Sequence, residues 1–176
     1  LGYFGHMWEL YTLWAFIPFI IARYNAINSN QLSVSLWSFI IIASGGIACV
    51  LGGYVSGKKG SGKTAYAALL ISGLCCALSP FLFQVPIFIF LFFMIIWGMT
   101  VVADSPQFST LVANYAPTQT KGTALTIVNS IGFALTIVSL QVMTILIEHF
   151  NPNIVFASLA IGPLLGLIAL GRSSTE

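Results

Sequence analysis

Residues 52–65, "GGYVSGKKGSGKTA", decide between two unrelated folds for this chain. The segment 57–64, "GKKGSGKT", matches G-x-x-x-x-G-K-[ST], the loop that holds phosphates in nucleotide-binding proteins. Such a loop needs a strand before it and a helix after it, so that backbone N–H groups point at the phosphates. Here a long apolar run without a strand pattern precedes the segment. We therefore predict that it binds no nucleotide and joins two membrane helices.

The composition indicates that lipid is the solvent of this chain. Hydrophobic residues make up 58% of it and charged residues 6%, whereas soluble domains carry about 25% charged residues. The net charge of +2 is too small to indicate a nucleic-acid partner. No cofactor signature is present, and two histidines far apart in sequence are too few for a metal site. The lipid bilayer is therefore the first expected partner.

Six segments are predicted to cross the bilayer, because each approaches the ~20 apolar residues that a spanning helix needs. They are approximately 2–24, 34–56, 64–83, 86–114, 122–149 and 152–170. Short separators rich in Asn, Gly, Pro and Ser connect them. The predicted fold class is an all-α membrane protein, with a six-helix transmembrane domain over 1–171 and a cytoplasmic tail over 172–176. Since the chain starts with Leu1 at the foot of a helix, we expect it to be a fragment.

The distribution of positive charge predicts the orientation in the membrane. Three lysines lie between the second and third spans, Lys121 precedes the fifth span and Arg172 follows the sixth. Only Arg23 lies on the opposite face. Cytoplasmic loops carry an excess of Lys and Arg. We therefore expect a multi-pass protein with both chain ends in the cytoplasm. The membrane is expected to be the bacterial inner membrane, because the stretches 5–11, "GHMWELY", and 103–109, "ADSPQFS", are similar to signatures of bacterial membrane proteins.

The opening stretch also resembles a signature of major facilitator superfamily transporters, G-x-x-x-D-R-x-G-R-[RK], between the second and third helices of each half. Gly53, Lys58, Gly60 and Lys63 match it, while Gly57 stands where the family usually has the aspartate of a charge latch. The segment 121–132, "KGTALTIVNSIG", is similar to the entry of the family's eleventh helix. The resemblance covers the whole chain as one half of such a transporter.

The resemblance implies that the chain is the C-terminal half, helices seven to twelve, of a twelve-helix secondary transporter. Such a protein moves a small molecule or an ion by alternating access, as two halves rock about a midplane site. The N-terminal six-helix half is then the partner, and no catalytic residue is needed. The four matching residues of the signature would form a gating loop.

Two other functions remain as alternatives from the residues alone. A membrane-embedded enzyme would use His6, Glu9 and Asp104 as acid–base groups, but the chain has no G-x-S-x-G nucleophile motif. A six-helix channel would need a re-entrant filter or a pore-lining ring, and the connecting segments are too short to supply one.

Asp104 is the strongest candidate for the transport pathway. It lies within the fourth span, before a kink predicted at Ser105 and Pro106, and one turn from Gln107. A carboxylate within a span is costly and must face protein or water. A buried carboxyl group that exchanges a proton is what a proton-coupled carrier requires. The structural alternative is a carboxylate bonded to free backbone N–H groups or paired with Lys121.

The other candidate site residues are polar and aromatic side chains within the spans. His6 and Glu9 share one face of the first span, and they either face a cavity or a partner, or lie at the interface with Glu9 reaching toward the cytoplasm. Further candidates for substrate contact are Tyr11, Trp14, Trp97, Thr100 and Asn129. For Asn129, hydrogen bonding between helices is the commoner role. The third and sixth spans lack buried charge and are interpreted as lipid-facing supports.

The second span is predicted to pack closely against another helix, because small residues recur along it every four positions. One stripe is Ser44, Ala48, Gly52 and Ser56, and the other is Gly45, Cys49, Gly53 and Gly57. The contact lies either within the six-helix bundle or at the seam between the two transporter halves.

Overall fold

The computed structural model describes residues 2–173, and it builds them almost entirely from helices. The α-helices in this range are α1 Gly2–Asn28, α2 Val34–Lys59, α3 Ser61–Leu78, α4 Ile87–Ala103, α5 Ser105–Tyr115, α6 Lys121–His149 and α7 Ile161–Ser173. Three short 3-10 helices, Ser79–Gln84, Thr118–Thr120 and Val155–Ala160, lie between them. The predicted all-α membrane fold is confirmed. The predicted tail, 172–176, lies outside the residues whose side chains are described.

Five helical stretches between residues 2 and 173 are long and apolar enough to cross a bilayer. They are Gly2–Asn28, Val34–Lys59, Ser61–Gln84, Ile87–Tyr115 and Thr118–His149. The sixth predicted span corresponds to a shorter apolar stretch, Val155–Gly171, in which a 3-10 helix leads into α7. The predicted spans therefore lie in the right places, with ends that differ by a few residues.

Residues 57–64 form a junction of two helices and not a loop. Helix α2 continues through Lys59 and α3 begins at Ser61, so Gly60 alone separates them. Gly60 has a φ of 85°, a conformation that glycine adopts without a steric cost. The prediction of a gating loop at these residues was wrong in its geometry, because Lys58 and Lys63 both lie within helices. No strand precedes the junction in the described part of the chain.

The fourth predicted span is broken in its second half. Helix α4 ends at Ala103 and α5 begins at Ser105, with Asp104 between them. Pro106 lies in the first turn of α5, where its missing N–H has no helical partner to lose. The kink predicted at Ser105 and Pro106 corresponds to a one-residue separation of α4 and α5 at Asp104, whose backbone keeps αR dihedral angles.

Helix α1 occupies the centre of the bundle. It packs mainly against α6 and α7, and it also contacts α2, α4 and α5. Helix α2 packs most extensively against α4, although α3 lies between them in sequence. The largest contacts therefore join helices that are not consecutive. The core is formed by side chains that α1 directs at its neighbours, including Leu13, Ile17 and Ile21, none of which is exposed.

The contact between α2 and α4 depends on glycine. A Cβ atom on Gly98 would lie 2.6 Å from the carbonyl oxygen of Ile41, and one on Gly45 would lie 2.7 Å from Cγ2 of Val102. Distances this short are repulsive, so each glycine lets the two helix backbones approach. The interpretation of α2 as a close-packing helix within the bundle is supported at these positions.

The opposite side of α2 has no neighbour within the described bundle. Gly46, Gly53 and Gly57 would place a Cβ atom in open space, with no atom within 4 Å. Large side chains on the same helix are also exposed, notably Phe39 at 70% and Tyr54 at 74%. Thus the small residues of α2 divide between a packed side and an open one.

The interpretation of the third span as a lipid-facing support is supported for one face, where Leu70, Ile71 and Leu74 are exposed, and wrong for the other. Of the most apolar 18-residue window of this span, 44% is buried, the largest share among the five long stretches. Ser72 and Cys76 of α3 are buried and form hydrogen bonds with α1. The third span is therefore part of the polar interior of the bundle.

Candidate substrate and coupling site

His6 and Asp104 form a buried pair between α1 and the break that follows α4. His6 Nδ1 lies 2.9 Å from Asp104 Oδ1, and the two side chains are 1% and 0% exposed. The contact is an ion pair when His6 carries both ring protons and Asp104 is ionised, but its geometry is not that of a hydrogen bond at His6 Nδ1 or at either oxygen of Asp104. Asp104 therefore pairs with His6, and not with Lys121, the partner considered from the sequence.

The imidazole of His6 lies beside two aromatic rings, and its second nitrogen lacks a hydrogen bond within the described residues. The rings of Tyr3 and Phe108 lie 5.9 Å and 5.8 Å from the imidazole, measured between centroids. His6 Nε2 is buried and has no hydrogen-bond partner among the described residues. His6 thus has one ring nitrogen close to Asp104 and a second one that forms no hydrogen bond with any described group.

Glu9 lies in a very different environment one turn further along α1. Its Oε1 accepts hydrogen bonds from Trp97 Nε1 at 2.8 Å and from Cys76 Sγ at 3.2 Å. Its Oε2 accepts one from Ser72 Oγ at 2.9 Å. The side chain is 0% exposed, so the interfacial position considered for Glu9 was wrong. This carboxylate joins α1 to α3 and α4.

Asn129 takes part in a hydrogen bond between helices, the role that is commoner for such residues. Tyr3 donates its hydroxyl to Asn129 Oδ1 at 2.8 Å. One face of α6 continues this contact with α1, since the hydroxyl groups of Thr12 and Ser139 lie 2.6 Å apart. Thr136 donates to the carbonyl oxygen of Met7 at 3.2 Å. A ladder of hydroxyl contacts therefore holds α1 against α6.

The remaining candidates do not join His6 and Asp104. Tyr11 is half-buried against Trp14 and Phe133 on another part of α1. Trp14 Nε1 is buried without a partner. Thr100 donates to the carbonyl oxygen of Ile96 in its own helix. Gln107 is 2% exposed and lies beside Gly52, on the side where α5 meets α2.

The matching residues of the signature lie outside the interior. Gly53, Lys58, Gly60 and Lys63 are all exposed at the end of the bundle. The residues between 2 and 173 bring no three His, Cys, Asp or Glu side chains together in a way that could hold a metal ion. The absence of a metal and of a cofactor stays a prediction.

Four residues that surround Glu9 and His6 were not among the candidates predicted from the sequence. Ser72 and Cys76 bind Glu9, while Tyr3 and Phe108 enclose His6. The spacing of Ser72 and Cys76, four residues apart, places them on one helix face and is the only signal that could have identified them. Nothing in the sequence singled out Tyr3 or Phe108 as neighbours of His6, although the structure brings them together around its ring.

Comparison with known proteins gives a match in structure alone. No protein-family model and no curated protein matches the chain. The partially occluded, inward-open structure of the xylose transporter XylE from E. coli superposes with a TM-score of 0.79 at 17% sequence identity. The alignment covers 97% of this chain and 46% of that transporter. The chain has the fold of one half of a major facilitator transporter.

A second XylE structure agrees with this assignment. The inward-open conformation matches with a TM-score of 0.73 at 18% identity, again over 97% of this chain and 46% of the transporter. The chain thus spans about half the length of the protein that it matches. At this level of identity the likeness shows the major-facilitator fold alone, and the long apolar helices indicate an integral multi-pass membrane protein.

Proposed function

We propose that the chain is the C-terminal six-helix half of a secondary transporter that moves a small solute by alternating access. The half-length match to XylE supports the proposal, since the two halves of such proteins together enclose the substrate. The N-terminal half of the same transporter is the proposed partner. The open side of α2, with Gly46, Gly53 and Gly57, offers a surface where a second set of helices could approach closely.

The observation that carries the proposal is the buried contact between His6 and Asp104. It joins α1 to Asp104, the single residue between α4 and α5, whose backbone keeps αR dihedral angles although Pro106, two residues later, cannot donate a backbone hydrogen bond. When this pair gains or loses a proton, the charge beside the junction of α4 and α5 changes. Such a change can alter how the two helices pack. We infer that Asp104 faces the transport pathway in part of the cycle, and that it binds either the coupled proton or a cationic group of the solute.

A membrane-embedded enzyme receives less support from the same geometry. Such an enzyme would need His6, Glu9 and Asp104 to converge on one substrate. Instead His6 and Asp104 face each other, while Glu9 is enclosed by donors from α3 and α4. The side chains form one ion pair and one separate hydrogen-bonded group, so transport explains their arrangement better.

The test replaces Asp104 by asparagine in the full-length transporter reconstituted in liposomes. Asp104→Asn preserves the shape of the side chain and removes its titration. If Asp104 carries the coupled proton, exchange of solute across the membrane survives, whereas uphill accumulation driven by a pH gradient is lost. If it binds a cationic solute, both activities are lost. Glu148→Gln is the matched control, because Glu148 is an exposed carboxylate at the end of α6.

Two outcomes would contradict this assignment of Asp104. Normal exchange and normal accumulation in the variant would remove the residue from the transport pathway. A fall in expression and thermal stability, with unchanged transport per folded molecule, would make it a structural carboxylate. The solute panel begins with sugars and other neutral solutes, and it includes organic cations.

A further inference from the structure

A cavity of about 520 Å³ lies at the end of the bundle where α3 begins and α5 and α7 end. Lys63 and Tyr66 of α3 form one wall, and Leu111 and Tyr115 of α5 form another. Leu170 of α7 lies on the third side. The cavity is therefore amphipathic, with leucine side chains on its walls and one ammonium and two phenol groups around them.

The positive charge at this cavity has no partner among the described residues. Lys63 forms no salt bridge within residues 2–173, and neither does Lys58 or Lys59 on the neighbouring end of α2. Of the carboxylates in that range, Glu9 and Asp104 are enclosed in the bundle and Glu148 lies at the opposite end of α6. This end of the described bundle thus presents unpaired cations, which attract an anion.

The two tyrosines are placed as they are in proteins that contact lipid headgroups. Neither the hydroxyl of Tyr66 nor that of Tyr115 makes a hydrogen bond within the described part of the chain, and the side chains are 40% and 78% exposed. Tyrosine is enriched at the membrane–water interface, where its ring lies among apolar groups and its hydroxyl meets polar ones. Their hydroxyl groups are therefore available as donors at the depth of the headgroups.

We propose that this cavity binds an anionic phospholipid. The phosphate is held by the ammonium group of Lys63, the hydroxyls of Tyr66 and Tyr115 donate to phosphate or ester oxygens, and an acyl chain lies along Leu111 and Leu170. Basic pockets between membrane helices recognise anionic headgroups through the same combination of charge and apolar contact. The lysine count assigns this end to the cytoplasm, whose leaflet carries such lipids. The inference does not depend on which solute is transported.

A lipid fits the lining better than a free phosphate ion does. One exposed lysine and two phenol groups form a weak site for a small, strongly hydrated anion. Leucine side chains on the other two walls add contact only for a ligand that carries a hydrocarbon chain. Helices α3 and α5 belong to stretches that are long and apolar enough to cross a bilayer, so phospholipid is a ligand available to this end of the bundle.

The experiment measures binding of phosphatidylglycerol to the full-length protein in detergent, by native mass spectrometry and by lipid-dependent thermal shift. Phosphatidylcholine and inorganic phosphate serve as separate probes. We expect saturable binding of phosphatidylglycerol that Lys63→Ala weakens at least about tenfold, because it removes both the local charge and a direct charge-assisted hydrogen bond. Tyr115→Phe removes only the hydroxyl and is expected to weaken binding about threefold.

Lys58→Ala is the matched control, since Lys58 is exposed nearby but does not line the cavity. It removes the same charge and is expected to weaken binding by less than about threefold through the long-range field alone. Equal losses for Lys58→Ala and Lys63→Ala would overturn the cavity as the site. Equal binding of phosphatidylcholine would overturn the requirement for an anion. Binding of inorganic phosphate as tight as that of the lipid would overturn the lipid as the ligand.

Discussion

Trp97 donates its indole N–H to Glu9 at 2.8 Å, and this one contact fixes α4 against the central helix. Glu9 lies on α1 three residues after His6, yet the two side chains turn to different partners. Glu9 has a donor for each of its oxygens, whereas neither ring nitrogen of His6 and neither oxygen of Asp104 forms a hydrogen bond within the described residues. The carboxylate of Glu9 therefore has its hydrogen-bond partners, whereas the pair of His6 and Asp104 lacks some of them. We expect Glu9 and the pair to respond differently to substitution.

We predict that Glu9 supports the structure and that coupled transport does not need its charge. Glu9→Leu leaves the indole N–H of Trp97 buried without an acceptor, which costs about 1–3 kcal/mol. Glu9→Gln keeps one carbonyl oxygen for Trp97, and its amide can donate to the hydroxyl of Ser72. We therefore expect a lowered melting temperature for Glu9→Leu and a nearly normal one for Glu9→Gln. Uphill accumulation retained in Glu9→Gln but lost in Asp104→Asn would separate the two carboxylates; loss in both would contradict the assignment.

The pair of His6 and Asp104 is predicted to be energetically coupled. Removal of one member of a buried ion pair leaves the other uncompensated, at a cost of about 3–5 kcal/mol. His6→Leu should therefore be more damaging when Asp104 is present than in the Asp104→Asn background. A double-mutant cycle of thermal unfolding in detergent is expected to give a coupling energy of about 0.5–3 kcal/mol. Additive effects would show that the two residues do not act as a pair.

Close packing of α2 on α4 predicts a sharp difference between neighbouring glycines. Gly98→Ala places a methyl group against the backbone oxygen of Ile41, which cannot move independently of its helix. We expect a loss of about 1–3 kcal/mol in stability, as in other overpacked cores. Gly46→Ala is the matched control, because its methyl group would meet no atom within 4 Å. Equal melting temperatures for the two variants would show that the helices do not pack at Gly98.

The junction at Gly60 is predicted to bind no nucleotide. A phosphate-binding loop needs several consecutive non-helical residues whose N–H groups converge, but only Gly60 is non-helical between α2 and α3. Isothermal titration of the full-length protein with ATP and GTP is expected to show no binding in the micromolar range. Lys63→Ala is the comparison variant, and micromolar binding that this change abolishes would overturn the prediction.

The local features of this protein follow from short stretches of its sequence. Helix lengths and positions were predictable, because a bilayer imposes a minimum apolar run and because Gly60, Pro86 and Pro117 interrupt the helices near fixed places. The break at Asp104 was predictable for the same reason, since Pro106 removes a backbone donor. The loop expected around Gly60 was not found, because lysine and serine continue a helix as readily as they form a turn.

The pairing of side chains was decided by the tertiary structure alone. His6 and Asp104 lie far apart in the chain, as do Glu9 and Trp97, and they meet because α1 crosses the centre of the bundle between α4 and α6. In the sequence, Glu9 and Asp104 are both lone carboxylates within apolar spans. Only the packing of α3 and α4 gives Glu9 its donors and leaves the imidazole beside Asp104 with a free nitrogen. The sequence determined which polar residues lie within membrane-spanning helices. The folded bundle determined which of these side chains have hydrogen-bond partners, because hydrogen bonds between helices depend on how distant segments pack together.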